Sequence, residues 1–281
     1  MLFGSHVSIA GGIEIAPLNA AKLGCEVFQM FSRSPRGGKP TYTKKSIDAF
    51  KQNCGRFKFA TTCIHSAYYI NLASTNNKIR YASIASIKSE LDIANKLGVA
   101  YVITHIGSAG VQTEKQALKL AIKSFNQILD GYAGATKLLL ENSAGAGKII
   151  GDSFDEIGYI IKNLKNKNVG NTCVGVCLDT CHAFVSGYDL RTNAALNKTL
   201  QQFNNIIGLS KLKVLHLNDA KAELGSRKDR HEDIGKGKIG LAAFKLLINH
   251  PKLKKLAGII ETPAEKISYA ATLKLLKKLR A

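Results

Sequence analysis

"VGVCLDTCHAF", Val174 to Phe184, is an apolar run that ends in a carboxylate, a thiol and an imidazole within four positions. Its interior has no polar alternation, which is the pattern of a strand buried on both faces. Asp179 and His182 stand where such a strand leaves the core, and burying either without a partner is costly. Seven further runs share the pattern: "LFGSHVS" from Leu2, "EVFQMFS" from Glu26, "ATTCIHS" from Ala60, "AYVITHIGS" from Ala100, "KLLLENS" from Lys137, "LKVLHLND" from Leu212 and "AGIIETP" from Ala257.

Between these runs lie segments of helical period, such as Ile84, Ile87, Leu91 and Ala94, or Leu118, Ile122, Phe125 and Leu129. Thr113 with Gln116, Ser153 with Glu156, and Thr262 with Glu265 have capping-box spacing, the last with Pro263 at the first helical position. Eight buried strands, each followed by a helix, predict an α/β protein with a parallel sheet. Eightfold repetition favours a (β/α)8 TIM barrel, one domain over residues 1–281, and not a doubly wound open sheet. An open sheet would normally carry a nucleotide loop, and "AGAGKIIG" at 144–151 fails both glycine-rich phosphate motifs, so it reads as a βα loop.

Composition narrows the function classes. Hydrophobic residues make up 45% of the chain, which excludes disorder, and no apolar stretch is long enough to span a bilayer. The N-terminus lacks the basic and apolar regions of a secretory signal, so a cytoplasmic location off the membrane is expected. The 6 Cys, among them Cys25, Cys63, Cys173 and Cys177 in apolar runs, read as reduced core thiols. Lys and Arg outnumber Asp and Glu by 40 to 20, and the resulting +20 points to a polyanionic partner. The bland alternative is a Lys-rich solvated surface, as in "KNLKNKN" at 162–168. No amphipathic stretch is left over once the barrel helices are assigned, so a monomer is expected.

The strand ends carry His6, His65, His105, Glu141, Asp179 with His182, His216 and Glu261. In a barrel the C-terminal strand ends converge on one face, so these groups would share one pocket. Asp229 and His231, in the long loop after the seventh strand, repeat the carboxylate–imidazole pairing. Five imidazoles and four carboxylates exceed what one catalytic zinc needs and suit a zinc or manganese cluster. His6 reads as a residue behind the ligands, and His250, before Pro251, as a surface or cap residue.

The landmarks "GSHVSIAGG", "IHSAYYINLAS", "HIGS", "LENSAGAG", "CLDTCHAFVSGYD", "HLNDAKAELGSRKDRHEDIGKGKIG" and "IIETP" resemble those of endonuclease IV, the metal-dependent abasic-site DNA repair nucleases. The resemblance implies one zinc on His65, His105 and Glu141, a second on Glu141, Asp179, His216 and Glu261, and a third on His182, Asp229 and His231. It also implies that Arg36, Tyr68 and Tyr69 meet double-stranded DNA at the lesion. Ile106 stands where the family usually has Pro, and Tyr69 where an aliphatic residue is frequent.

The reaction implied is hydrolysis of the phosphodiester 5′ to an abasic site by a metal-bridging hydroxide, with Glu141 and Glu261 as the catalytic carboxylates. Three Zn2+ ions are the expected cofactors, with Mn2+ the other metal that fits, and 3′-end cleaning is a further activity open to the same site. "GKGKIG" at 235–240 is expected to offer backbone N–H groups to phosphates. Two rivals are a sugar isomerase on the same barrel, which needs neither a third metal site nor +20, and a DNA-binding protein with a closed, Cys-rich structural zinc.

Overall fold

A strand that is apolar on both faces is stable only where both are covered. The computed structural model, which describes residues 1–33, 42–165 and 173–281, covers them by closing the sheet on itself. The strands are β1 (Leu2–Val7), β2 (Phe28–Phe31), β3 (Thr62–His65), β4 (Tyr101–Thr104), β5 (Lys137–Glu141), β6 (Val174–Asp179), β7 (Leu212–His216), the two-residue β8 (Asp219–Ala220) and β9 (His231–Glu232), and β10 (Ala257–Ile260). The barrel order is β1-β10-β7-β6-β5-β4-β3-β2, with all pairs parallel, while β8 and β9 form a small antiparallel ladder of their own. Helices follow the barrel strands in turn, from Ala16–Leu23 to Tyr269–Leu279, and the architecture is a (β/α)8 TIM barrel.

Two cores result. Phe28, Ile64, Leu138, Leu140 and Val176 face outward and pack with helical residues such as Phe125, Phe154 and Phe203. Val27, Cys63, Ile103, Leu139, Cys177, Val214, Ala257 and Ile259 form a separate cluster that fills the barrel interior. Strand side chains alternate with period two, so the residue two places beyond an interior residue also points inward, one layer nearer the C-terminal mouth. That rule selects Gln29, His65, His105, Glu141, Asp179, His216 and Glu261. All six cysteines are free thiols, and among the described residues no helix is long and apolar enough to cross a membrane.

The caps differ from expectation in two places. Thr113 and Gln116 form a reciprocal capping box at the start of Glu114–Leu129. Thr262 and Glu265 do not start a helix. The last helix begins after Ser268, whose Oγ accepts from the Ala271 N–H. Residues 264–267 are drawn instead onto buried Asp233, whose carboxylate accepts from the N–H groups of Ala264, Lys266 and Ile267. At Ser153 only half the box forms: Ser153 accepts from Glu156 N–H, while the Glu156 carboxylate turns back to accept from Gly151 and Asp152 N–H.

Burial pushes the Glu156 carboxyl up to about 7 from 4.5, against the lowering effect of the Gly151 N–H and with help from Asp152. A carboxyl raised in the folded state contributes stability that is complete below its unfolded pKa and is lost as pH rises through the folded value. The difference in melting temperature between Glu156→Gln and the parent should therefore shift in the variant's favour from about pH 4.5 to about pH 7 and level off above. A difference that stays constant across that window would contradict the assignment.

Candidate metal centre

β5 ends in Glu141, whose side chain is 1% exposed. Four imidazoles surround it: His65 Nε2 at 2.8 Å, His216 Nδ1 at 2.9 Å, and His105 Nε2 and His182 Nδ1 at 3.6 Å. Glu261, one residue past β10, places Oε2 3.1 Å from His216 Nδ1. Asp179 ends β6 and caps the short helix Thr180–Val185, its Oδ1 accepting from His182 N–H at 2.8 Å. Asn218 donates to Asp179 Oδ2 at 2.6 Å. Asp229 and His231 close the arrangement from the long loop, with Asp229 Oδ2 3.3 Å and His231 Nε2 3.4 Å from His182 Nε2.

Every residue expected to ligate metal is thus in one cluster. Among the described residues five sets bring their donor atoms within 4.8 Å of one another, and three of them are the expected ones: His65, His105 and Glu141; Glu141, Asp179, His216 and Glu261; and His182, Asp229 and His231; a fourth joins His65, His216 and Glu261. The third set is the most open, with the Asp229 side chain 50% exposed. Cys181 Sγ also lies within that distance of Asp179 and His231, yet burial keeps its thiol protonated and it donates to the Arg230 carbonyl.

Several imidazoles have one nitrogen committed. His65 Nδ1 donates to the Ser66 carbonyl at 2.7 Å, His182 Nδ1 to that of Asn142 at 2.9 Å, and His231 Nδ1 to that of Glu261 at 3.3 Å. Each therefore turns Nε2 toward the shared space, the arrangement in which an outer hydrogen bond sets the ligating nitrogen.

The charges are tightly coupled. Burial opposes ionisation of Glu141, but His105 and His216 hold it well below the usual carboxylate range. Glu261 is lowered despite burial, by His216 and His6. Burial would lower His182, yet Asp179 and Asp229 push it up to about 10. His216 is raised well above 6.5 against burial by Cys177, Glu261 and Glu141, whereas burial lowers His105. Imidazolium protons thus hold together carboxylates that the interior would otherwise reject, and the donor set is one that cations displace such protons to bind.

The family described as Xylose isomerase-like TIM barrel matches residues 17–279. A probable endonuclease 4 from Chlorobium limicola is 44% identical over 264 residues, covering 92% of this chain and 89% of that protein. Endonuclease IV from Thermus thermophilus superposes with a TM-score of 0.85 at 32% identity, covering 99% of this chain and 98% of that one. The chain belongs to the endonuclease 4 family. It is a nuclease hydrolase, an endonuclease of DNA repair. A D-tagatose 3-epimerase-like protein also superposes, with a TM-score of 0.73 over 99% of this chain and 97% of that one, but at 19% identity it shares the fold alone.

Other expectations fare unevenly. Tyr68 and Tyr69 project from the loop after β3, 74% and 43% exposed, their rings 6.2 Å apart and nearly perpendicular. Arg36 lies outside the described residues. His6 sits behind Glu261, its Nδ1 3.6 Å from Oε1. His250 ends the helix Leu241–Asn249 as its cap but is 9% exposed, buried where a surface position was also open. The sequence reading missed Gln29, fully buried and bonded to His6, His216 and Glu261. Its signal was the same period of two, applied from Val27.

"GKGKIG" does not offer its N–H groups to phosphates. Those of Gly235, Gly237, Ile239 and Gly240 all donate to the buried carboxylate of Asp219, and Lys236 and Lys238 donate to the carbonyls of Asp233 and Ala220. A Cβ at Gly237 would fall 2.4 Å from the Ala220 carbonyl oxygen, so only glycine permits the approach. This internal anion anchors the loop that carries Asp229 and His231. Asp219→Ala should cost about 3–5 kcal/mol in urea denaturation, since it strands several buried N–H donors at once. A loss under about 1 kcal/mol would show that the loop is held by something else.

Proposed function

We propose that this endonuclease hydrolyses the phosphodiester 5′ to an abasic deoxyribose in double-stranded DNA, leaving a 3′-hydroxyl and a 5′-deoxyribose phosphate, with three zinc ions as cofactors. The observation that carries the reading is the convergence of five imidazoles and four carboxylates at one barrel mouth, in overlapping donor sets that include all three the family resemblance implies. The chemistry of the set fits zinc: nitrogen and carboxylate oxygen donors, with imidazole orientation fixed from behind. His65, His105 and Glu141 would hold one ion, Glu141, Asp179, His216 and Glu261 a second, and His182, Asp229 and His231 a third. Bound zinc lowers the pKa of coordinated water and neutralises charge that develops on phosphate oxygens.

The protein's own residues supply the rest. Glu261 and Glu141 orient the attacking water beside the phosphate. Lys221, Arg227, Lys228, Arg230, Lys236 and Lys238 lie exposed along the loop of residues 221–238, and give sequence-independent phosphate contacts that weaken as salt rises. Tyr68 and Tyr69 offer exposed rings for stacking where a base has lost its partner, with Arg36 assigned to the same task from its sequence position. Selectivity then follows from flipping: a nucleotide without a base leaves the stack at the least energetic cost. A sugar isomerase would need neither the third donor set nor the +20 balance.

The test is a labelled duplex with one tetrahydrofuran analogue, which cannot undergo β-elimination, so that incision must be hydrolytic. Cleavage on the 5′ side leaving a 3′-hydroxyl is expected, and Glu261→Gln should slow it by about 100-fold or more. No incision by fully metallated protein would overturn the reading. Full activity with full zinc content in Glu261→Gln would overturn that residue's role.

A further inference from the structure

The imidazoles of His65, His182 and His231 are each oriented by a backbone carbonyl, which no side-chain substitution removes. His216 is different. Its Nε2 lies 2.8 Å from Gln29 Oε1, a side-chain carbonyl that reaches it from β2 across the barrel. The polarity of this contact follows from the neighbours. A carboxylate placed to bind a cation offers only acceptor oxygens, so the group facing Glu261 Oε1 is the Gln29 amide nitrogen, which donates to it. The carbonyl then necessarily faces His216, and His216 Nε2 must carry a proton to donate to it. The second amide N–H points to His6 Nδ1 at 3.1 Å.

With Nε2 committed, His216 turns Nδ1 into a ring of carboxylate oxygens: Glu141 Oε1 at 2.9 Å, Glu261 Oε2 at 3.1 Å and Asp179 Oδ2 at 4.0 Å. One nitrogen and three oxygens from the C-terminal ends of four strands make a donor set suited to a four-coordinate cation. We infer that Gln29 is a positioning residue that sets His216 to ligate through Nδ1 while holding Glu261 at the same ion. This rests on the zinc reading above. Gln29 would touch neither metal nor substrate, and would act through the two ligands it bonds.

Gln29→Met keeps the length and volume of the side chain and removes all three hydrogen bonds. Zinc affinities, measured by competition with a chromophoric chelator, should fall by about 10- to 100-fold for one ion, with the others unchanged. Independently, nitrogen-15 histidine spectra of the zinc-loaded parent protein should show His216 protonated at Nε2 and coordinated at Nδ1, a readout that holds even if the variant fails to fold. Coordination through Nε2 in the parent, or unchanged affinity for every ion in a folded Gln29→Met, would overturn the inference and leave the zinc reading standing. A parent protein that takes up no zinc would instead bring down the zinc reading, and this inference with it.

Discussion

Glu141 is the group on which the rest of the barrel mouth depends. A carboxylate with 1% of its side chain exposed has no water to stabilise its charge, and two imidazole nitrogens within 2.9 Å with two more at 3.6 Å take water's place. Those imidazoles come from strands and loops spread along the chain from residue 65 to residue 216, so they meet only if the barrel closes in register. The pairings of His65 with Ile103, Glu141 with Cys177 and Asp179 with His216 are that register. A slip of one residue in β3, β5 or β6 would turn that strand's ligand outward into the helix layer.

The loops beyond the wall are held by a second device, buried aspartates in place of bound anions. Asp219 gathers the N–H groups of Gly235, Gly237, Ile239 and Gly240, and Asp233 those of Ala264, Lys266 and Ile267. Both are fully buried, and each converts an irregular loop into a fixed frame at the edge of the site. The long loop can thereby carry Asp229, half exposed, and His231 to a defined place beside His182. What the chain presents to solvent there is its lysine and arginine side chains, not its backbone donors.

Strand ends were readable from sequence because buried parallel strands show continuous apolar runs, and a His, Asp or Glu at the end of such a run stands out. Gln29 did not stand out, since an amide is not a metal ligand and its role exists only through His216 and Glu261, 187 and 232 residues away. "GKGKIG" misled for a related reason: its N–H donors are plain in the sequence, but their acceptor, Asp219, is not. At Thr262 the local capping pattern lost to a tertiary contact, the pull of Asp233 on the following backbone. Local pattern located the site, and long-range hydrogen bonding decided how it is finished.

On the zinc reading, the three donor sets are places for metal ions and not a self-contained network of imidazolium and carboxylate. Anomalous diffraction recorded above and below the zinc absorption edge, from crystals of protein purified without added metal, tests this most directly. Three peaks are predicted, one within each donor set, with Glu141 between the first two. A mouth with no anomalous peak in a protein that nonetheless incises abasic DNA would contradict the account.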